Sequence, residues 1–92
     1  SGKAAQKIGQ KLQEVSGNRQ VICVTHSAQI AAQADCHMRI SKSVSDGKTY
    51  TKVERLDTEG RKYEIARITG GLDVTELQLK SAEEMLRNAG NL

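Results

Sequence analysis

The stretch Gln20-Val21-Ile22-Cys23-Val24-Thr25-His26-Ser27 decides the predicted fold, because an apolar run there ends abruptly in three polar side chains. Apolar residues at successive positions leave no side for water, which is typical of an inner strand of a parallel sheet. We therefore predict a strand over residues 20–25, with Cys23 buried in it as a small apolar residue. Open α/β sheets bind ligands at the carboxyl ends of their strands, which makes His26 the first candidate functional residue.

Helical patterns flank this predicted strand. Apolar side chains recur at helical spacing over residues 3–15, where Ser1 can act as the cap and Gly17 as the stop. A second, short helix is predicted over residues 27–34, with Ser27 as its cap. The succession of helix, strand and helix indicates an α/β fold.

Beyond His37 the apolar residues alternate with polar ones on both sides of Asp46-Gly47, a dipeptide that favours a type I′ turn. This pattern predicts a β-hairpin over residues 37–56. Two C-terminal helices are predicted over residues 61–69 and 75–89, and the second opens with the spacing of a capping box.

Composition limits the chain to one small domain. It has 92 residues and neither Phe nor Trp, so its core must be built from aliphatic side chains. Two cysteines give no disulfide framework and suit a reducing compartment, the cytoplasm. No apolar segment approaches the ~20 residues that a membrane span needs. Because the chain starts at Ser1 rather than Met, we expect a piece of a longer protein, which makes the domain incomplete.

Polar side chains gather at the end of the predicted strand. Thr25, His26 and Ser27 lie where the backbone N–H groups of a helix start favour an anion such as phosphate. An imidazole there can contact a terminal phosphate or orient water. A histidine after a strand is also commonly a structural residue, so position alone leaves both roles open.

Other nucleotide and metal motifs are incomplete. Gly2-Lys3 is followed by Ala4 instead of the Ser or Thr of a phosphate loop, and no carboxylate pair follows a strand. The chain alone is therefore expected to hydrolyse nothing. Thiolate and imidazole are zinc ligands, but strand alternation places Cys23 and His26 on opposite faces, and Cys36 and His37 are adjacent, so we predict no metal site.

The predicted hairpin carries the formal excess of positive charge. Residues 37–56 contain five basic and two acidic side chains, a net +3 that equals the value for the whole chain. Such a ribbon can contact nucleic-acid phosphates, which gives an alternative function as a small non-enzymatic interaction module. Lysines on exposed strands also prevent edge-to-edge pairing, and we expect no aromatic platform to accompany them.

Four segments together resemble the end of the ATPase head of the bacterial RecN family, whose members are SMC-like DNA double-strand-break repair ATPases with an ABC-type head. These segments are residues 1–5, 20–35, 65–71 and 74–76, so the resemblance spans nearly the whole chain. Its more specific part combines Ala28-Gln29-Ile30-Ala31-Ala32-Gln33-Ala34-Asp35, the basic hairpin and the helix break at Gly70-Gly71.

The resemblance implies that the chain is the C-terminal portion of a P-loop ABC-type ATPase head. It implies that His26 is the switch histidine that contacts the γ-phosphate, and that Ser1 and Gly2 are the remnant of a loop that reaches the nucleotide across a head-to-head dimer. The intact protein would bind ATP and Mg²⁺, whereas this chain alone would bind neither and would be inactive. The implied partners are the N-terminal lobe of the same head, a second head in a homodimer, and DNA at the bacterial nucleoid.

Overall fold

The computed structural model describes residues 2–71 and 73–92, so Ser1 and Leu72 lie outside the described residues. Four α-helices, a 3₁₀ turn and the two strands of one hairpin follow one another along these residues. They are α1 (Gly2–Val15), a 3₁₀ turn (Ser16–Asn18), α2 (Ala28–Gln33), β1 (Met38–Ser45), β2 (Lys48–Arg55), α3 (Thr58–Gly70) and α4 (Glu76–Asn88). Of the predicted α/β fold, the structure contains the helices and the antiparallel hairpin.

The core is small and lies where α2 packs against α3 and α4. It consists largely of alanines, with one large aliphatic side chain from each of the two longer helices: Ala31, Ala32, Ile65, Ala66, Ala82 and Leu86. Ile65 and Leu86 are fully buried. Because alanine side chains are short, α2 lies close to both neighbouring helices, and it becomes the central element of the helical layer.

Helix α1 packs on the other side of α2 through Gly9, which is buried. A Cβ atom at Gly9 would lie 3.3 Å from the carbonyl oxygen of Gln29 and 3.4 Å from Cα of Ile30. The absence of a side chain therefore allows the two helices to approach this closely. Part of the apolar stripe of α1 stays open to solvent, since Ile8 is 52% exposed.

The hairpin forms as the alternation predicts. β1 and β2 pair antiparallel from Met38↔Arg55 to Ser45↔Lys48. Asp46 and Gly47 have φ values of 52° and 74°, the left-handed conformations that a type I′ turn requires at both central positions. The amide of Leu56 donates to the carbonyl of His37 at 2.9 Å and extends the ladder by one rung.

The predicted strand over residues 20–25 is wrong for this structure, because these residues belong to no strand. Ile22 and Val24 are 81% and 86% exposed, and Cys23, predicted to be buried, is exposed. A strand needs a hydrogen-bonded neighbour. The hairpin β1–β2 is the only sheet among residues 2–71 and 73–92, so the parallel sheet expected around this segment is not formed there.

The C-terminal helices start and end at recognisable caps. Helix α3 begins three residues before the predicted start, because the Oδ1 atom of Asp57 accepts from the amide of Gly60 at 2.7 Å. Helix α4 opens with the predicted capping box, in which the side chain of Thr75 accepts from the amide of Gln78 and the side chain of Gln78 accepts from the amide of Thr75. None of the helices within the described residues is long and apolar enough to cross a membrane.

Candidate functional site

His26 lies at the junction between the extended segment 20–27 and helix α2. The hydroxyl of Thr25 accepts from the amide of Ser27 at 3.0 Å, which turns the chain into the helix. Ser27 occupies the N-cap position as predicted, but its side chain makes no capping hydrogen bond. Helix α2 has only six residues. Its dipole therefore attracts an anion less strongly than that of a longer helix, on which the predicted phosphate site depended.

The structure brings Gly2 and His26 to one open cavity of about 370 Å³. All four helices and the segment before α2 contribute to its lining: Gly2, Ala5, His26, Ser27, Ala28, Gln29, Ile68, Thr69 and Met85. None of these residues is acidic, so a bound anion would meet no repelling carboxylate in the lining. His26 itself is exposed, which leaves its imidazole accessible from solvent. Ser1, the remaining predicted binding residue, lies outside the described residues.

Side chains from three parts of the chain hold the end of α2, just beyond His26. The guanidinium of Arg61 on α3 donates to the carbonyls of Ala31 and Ala34, at 3.2 and 2.8 Å. The amide of Asn91 donates to the carbonyls of Ala32 and Ala34, at 2.7 and 3.1 Å. These contacts supply partners for carbonyl groups at the end of the helix, among which that of Ala31 also accepts from the amide of Ala34.

Helix α1 supplies the third contact. The side-chain amide of Gln13 donates to the carbonyl of Gln33 at 3.0 Å and to the carboxylate of Asp35 at 2.9 Å. The backbone carbonyls of residues 31–34 therefore accept hydrogen bonds from α1, from α3 and from Asn91, which follows α4. Tertiary contacts therefore fix the position of α2, the short helix that follows His26.

An ionic cluster centred on the buried carboxylate of Glu64 joins the hairpin to α3. The carboxylate of Glu64, whose side chain is 5% exposed, contacts the guanidinium of Arg67 and lies 3.8 Å from that of Arg39 on β1. Burial lowers the pKa of the neighbouring His37 below its ordinary value, the charge of Arg61 lowers this pKa further, and Glu64 acts in the opposite direction. His37 is thus favoured as the neutral imidazole.

The sequence pattern did not point to Arg61, Glu64 or Asn91, because hydrophobic periodicity does not report buried polar side chains. The signal available was the placement of Arg61 and Glu64 at spacing i, i+3, on the same side of the helix as Ile65. The cysteine and histidine residues weighed as zinc ligands do not form a cluster. In the part of the chain that the structure describes, no group of three His, Cys, Asp or Glu residues could hold a metal ion.

The comparisons with known proteins identify bacterial DNA repair proteins as relatives. RecN of Bacillus subtilis (strain 168) is 43% identical over 89 residues, which are 97% of this chain and 16% of that protein. RecN of Rickettsia typhi and RecN of Haemophilus influenzae are each 41% identical over 86 residues, 94% of this chain. No protein-family model matches the chain.

The resemblance to RecN is therefore confirmed over nearly the whole chain. The chain spans about one sixth of the length of the curated relatives that it matches, 16% of the Bacillus subtilis protein. This similarity does not by itself assign the activity or the partners of the whole RecN protein to this chain.

Proposed function

We propose that this chain is the C-terminal segment of the ATP-hydrolysing head of a RecN-like DNA double-strand-break repair protein, and that His26 acts on the γ-phosphate of ATP. The observation that carries the proposal is that His26 and Gly2 line the same open cavity, whose lining has no carboxylate. The similarity to a repair protein over 97% of the chain favours this function over a free-standing interaction module.

The described residues fit one part of an ATP site. His26 offers a donor to a terminal phosphate oxygen, or an acceptor that orients the attacking water. The hydroxyl of Thr69, also in the lining, donates to the carbonyl of Ile65 at 2.9 Å, so its lone pairs can accept from the attacking water but it has no proton left for a phosphate oxygen. The chain lacks a phosphate loop, and its cavity lining has no carboxylate to bind Mg²⁺. We assign the phosphate cradle and the Mg²⁺ ligands to the rest of the head.

The partners follow from this assignment. We propose that the N-terminal lobe of the same head pairs with residues 20–25 and completes a sheet there, which would bury Ile22 and Val24, now 81% and 86% exposed. A second head would approach through Gly2, at the start of α1. DNA is the ligand of the intact protein, which would work in the bacterial cytoplasm at the nucleoid.

The test is the His26→Ala variant of the full-length protein. Because the imidazole acts on the transition state, hydrolysis should fall by roughly 10²- to 10⁴-fold while nucleotide affinity changes little. ATP turnover and the binding of a fluorescent ATP analogue measure the two quantities. Gln29→Ala is the matched control, since Gln29 lines the same cavity and carries no imidazole.

Unchanged turnover in His26→Ala would refute the role of His26. Loss of turnover with an equal loss in the Gln29→Ala control would show that the cavity, rather than the imidazole, is needed. The 92-residue chain alone should show no ATP turnover in the same assay, because it lacks the phosphate loop.

A further inference from the structure

The outer half of the hairpin has two chemically different faces. Directly paired residues of an antiparallel ladder lie on the same face, and successive residues alternate between faces. The register therefore places Lys48, Tyr50 and Lys52 of β2 on one face, each opposite a serine of β1: Ser45, Ser43 and Ser41. We name these six residues the tip face. The other face carries the apolar residues Ile40, Val44 and Val53, together with Lys42.

This arrangement corrects the expectation that no aromatic platform accompanies the lysines. Tyr50 lies between Lys48 and Lys52 on the same face, and its side chain is accessible, since the residue is 52% exposed. The side chain of Lys52 is 72% exposed. Its nearest carboxylate, that of Glu54 at 3.9 Å, also contacts Arg39, so its charge is shared.

Alternate residues on a strand are about 6.6 Å apart, so the three side chains span roughly 13 Å along one edge of the ribbon. An open aromatic ring between two cations is the combination that binds unpaired nucleotides, because the base stacks on the ring and the flanking phosphates meet the cations. In a duplex the base faces are already stacked on one another, so the ring of Tyr50 has nothing to stack on. The serine hydroxyls opposite can donate to phosphate or sugar oxygens.

We propose that the tip face binds single-stranded nucleic acid without sequence preference, with one base stacked on Tyr50 and phosphates held by Lys48 and Lys52. The surface shares no residue with the His26 cavity. Oligonucleotide binding and ATP turnover are therefore separable, and either proposal can fail without the other.

Edge protection is the competing explanation for the lysines, since both strands of this ribbon are edges. It gives Tyr50 no role, and it treats Lys42 and Lys48 alike because each adds one charge to an edge. The proposal distinguishes these two lysines, which lie on opposite faces. The two explanations thus predict different behaviour of variants that have the same net charge.

The experiment is fluorescence anisotropy of a labelled oligothymidine titrated with the 92-residue chain at several salt concentrations. Tyr50→Ser should weaken binding by about 5- to 150-fold, and Tyr50→Phe should retain it, because the phenyl ring still stacks. Tyr63→Ser is the matched control, since Tyr63 on α3 is 51% exposed and lies off the tip face. Circular dichroism verifies that every variant is folded.

The lysines are tested by the dependence of affinity on salt. Lys48→Ala should reduce the slope of log K against log salt by about 0.7, the value for one phosphate contact on a single strand, whereas Lys42→Ala should leave it unchanged. Equal effects of Lys42→Ala and Lys48→Ala would overturn the proposal. Wild-type affinity of Tyr50→Ser, tighter binding of a duplex of equal length, or no binding by the wild-type chain at low salt would overturn it as well.

Discussion

Replacing Arg61 by Met should destabilise the chain by about 2 kcal/mol. Arg61 is 8% exposed and makes two hydrogen bonds to the end of α2. A hydrogen bond to a charged group contributes about 1.5–3 kcal/mol, which sets an upper limit of roughly 3–6 kcal/mol for the two. The actual loss is smaller for two reasons that the structure shows.

The first reason is that both carbonyls keep another donor. The carbonyl of Ala31 also accepts from the amide of Ala34, and that of Ala34 also accepts from the side chain of Asn91. Neither is left unsatisfied in the variant, so the penalty for an unpaired buried group does not arise. The second reason is the cost of burying the guanidinium, which is visible as a lowered pKa of Arg61. Methionine removes this cost and keeps most of the apolar stem.

Urea denaturation followed by circular dichroism at 222 nm measures the free energy of unfolding, and an unchanged slope shows that the unfolded state is comparable. In a thermal melt, the same loss corresponds to a decrease of roughly 8–16 °C in Tm for a chain of this size. Arg87→Met is the control, because Arg87 is 59% exposed and pairs with Glu83 at i, i+4 on the surface, where solvent screens the interaction. Equal destabilisation by the two substitutions would refute the reasoning.

Three further outcomes are expected. Gly70→Ala should cost about 0.5–1.5 kcal/mol in denaturation experiments, because its Cβ would overlap the side chain of Gln78 and open the capping box, whereas Gly17→Ala has open space and should be neutral. Acid should destabilise the chain below pH 6.5, because burial lowers the pKa of His37 and the unfolded state therefore takes up the proton first as the pH falls. The His37→Gln variant should show a weaker dependence of stability on pH in thermal melts at several pH values. Hydrogen exchange should be fast for the amides of residues 21–25 in this chain, and slow in the full-length protein if the other lobe pairs with them.

The hairpin was predictable because its determinants are local. The dipeptide Asp46-Gly47 supports the turn, and alternation on both sides defines the strands, which form at Met38–Ser45 and Lys48–Arg55. The capping box of α4 was predictable for the same reason, since Thr75 and Gln78 are close in sequence. Such signals need no knowledge of the rest of the molecule.

The segment 20–25 shows the opposite case. Its composition indicates a strand, but pairing depends on a neighbour, and the described residues offer only a hairpin that is already paired with itself. The apolar pattern of residues 20–25 indicates a segment that can pair as a strand, but the described residues provide no free strand to pair with it. Arg61 and Asn91 were missed for a related reason, because their role depends on carbonyls about 30 and 60 residues away in sequence.

His26 lies between an anchored helix and a segment that pairs with no strand of the described residues, and this asymmetry has a mechanical consequence. Helix α2 cannot shift without breaking contacts to Gln13, Arg61 and Asn91, so adjustments of the histidine come from the preceding residues. If a neighbouring strand docks there, a slip of one residue would turn every side chain of the segment to the opposite face. The alignment of that docked strand would then decide whether the ring points towards the proposed nucleotide position or away from it.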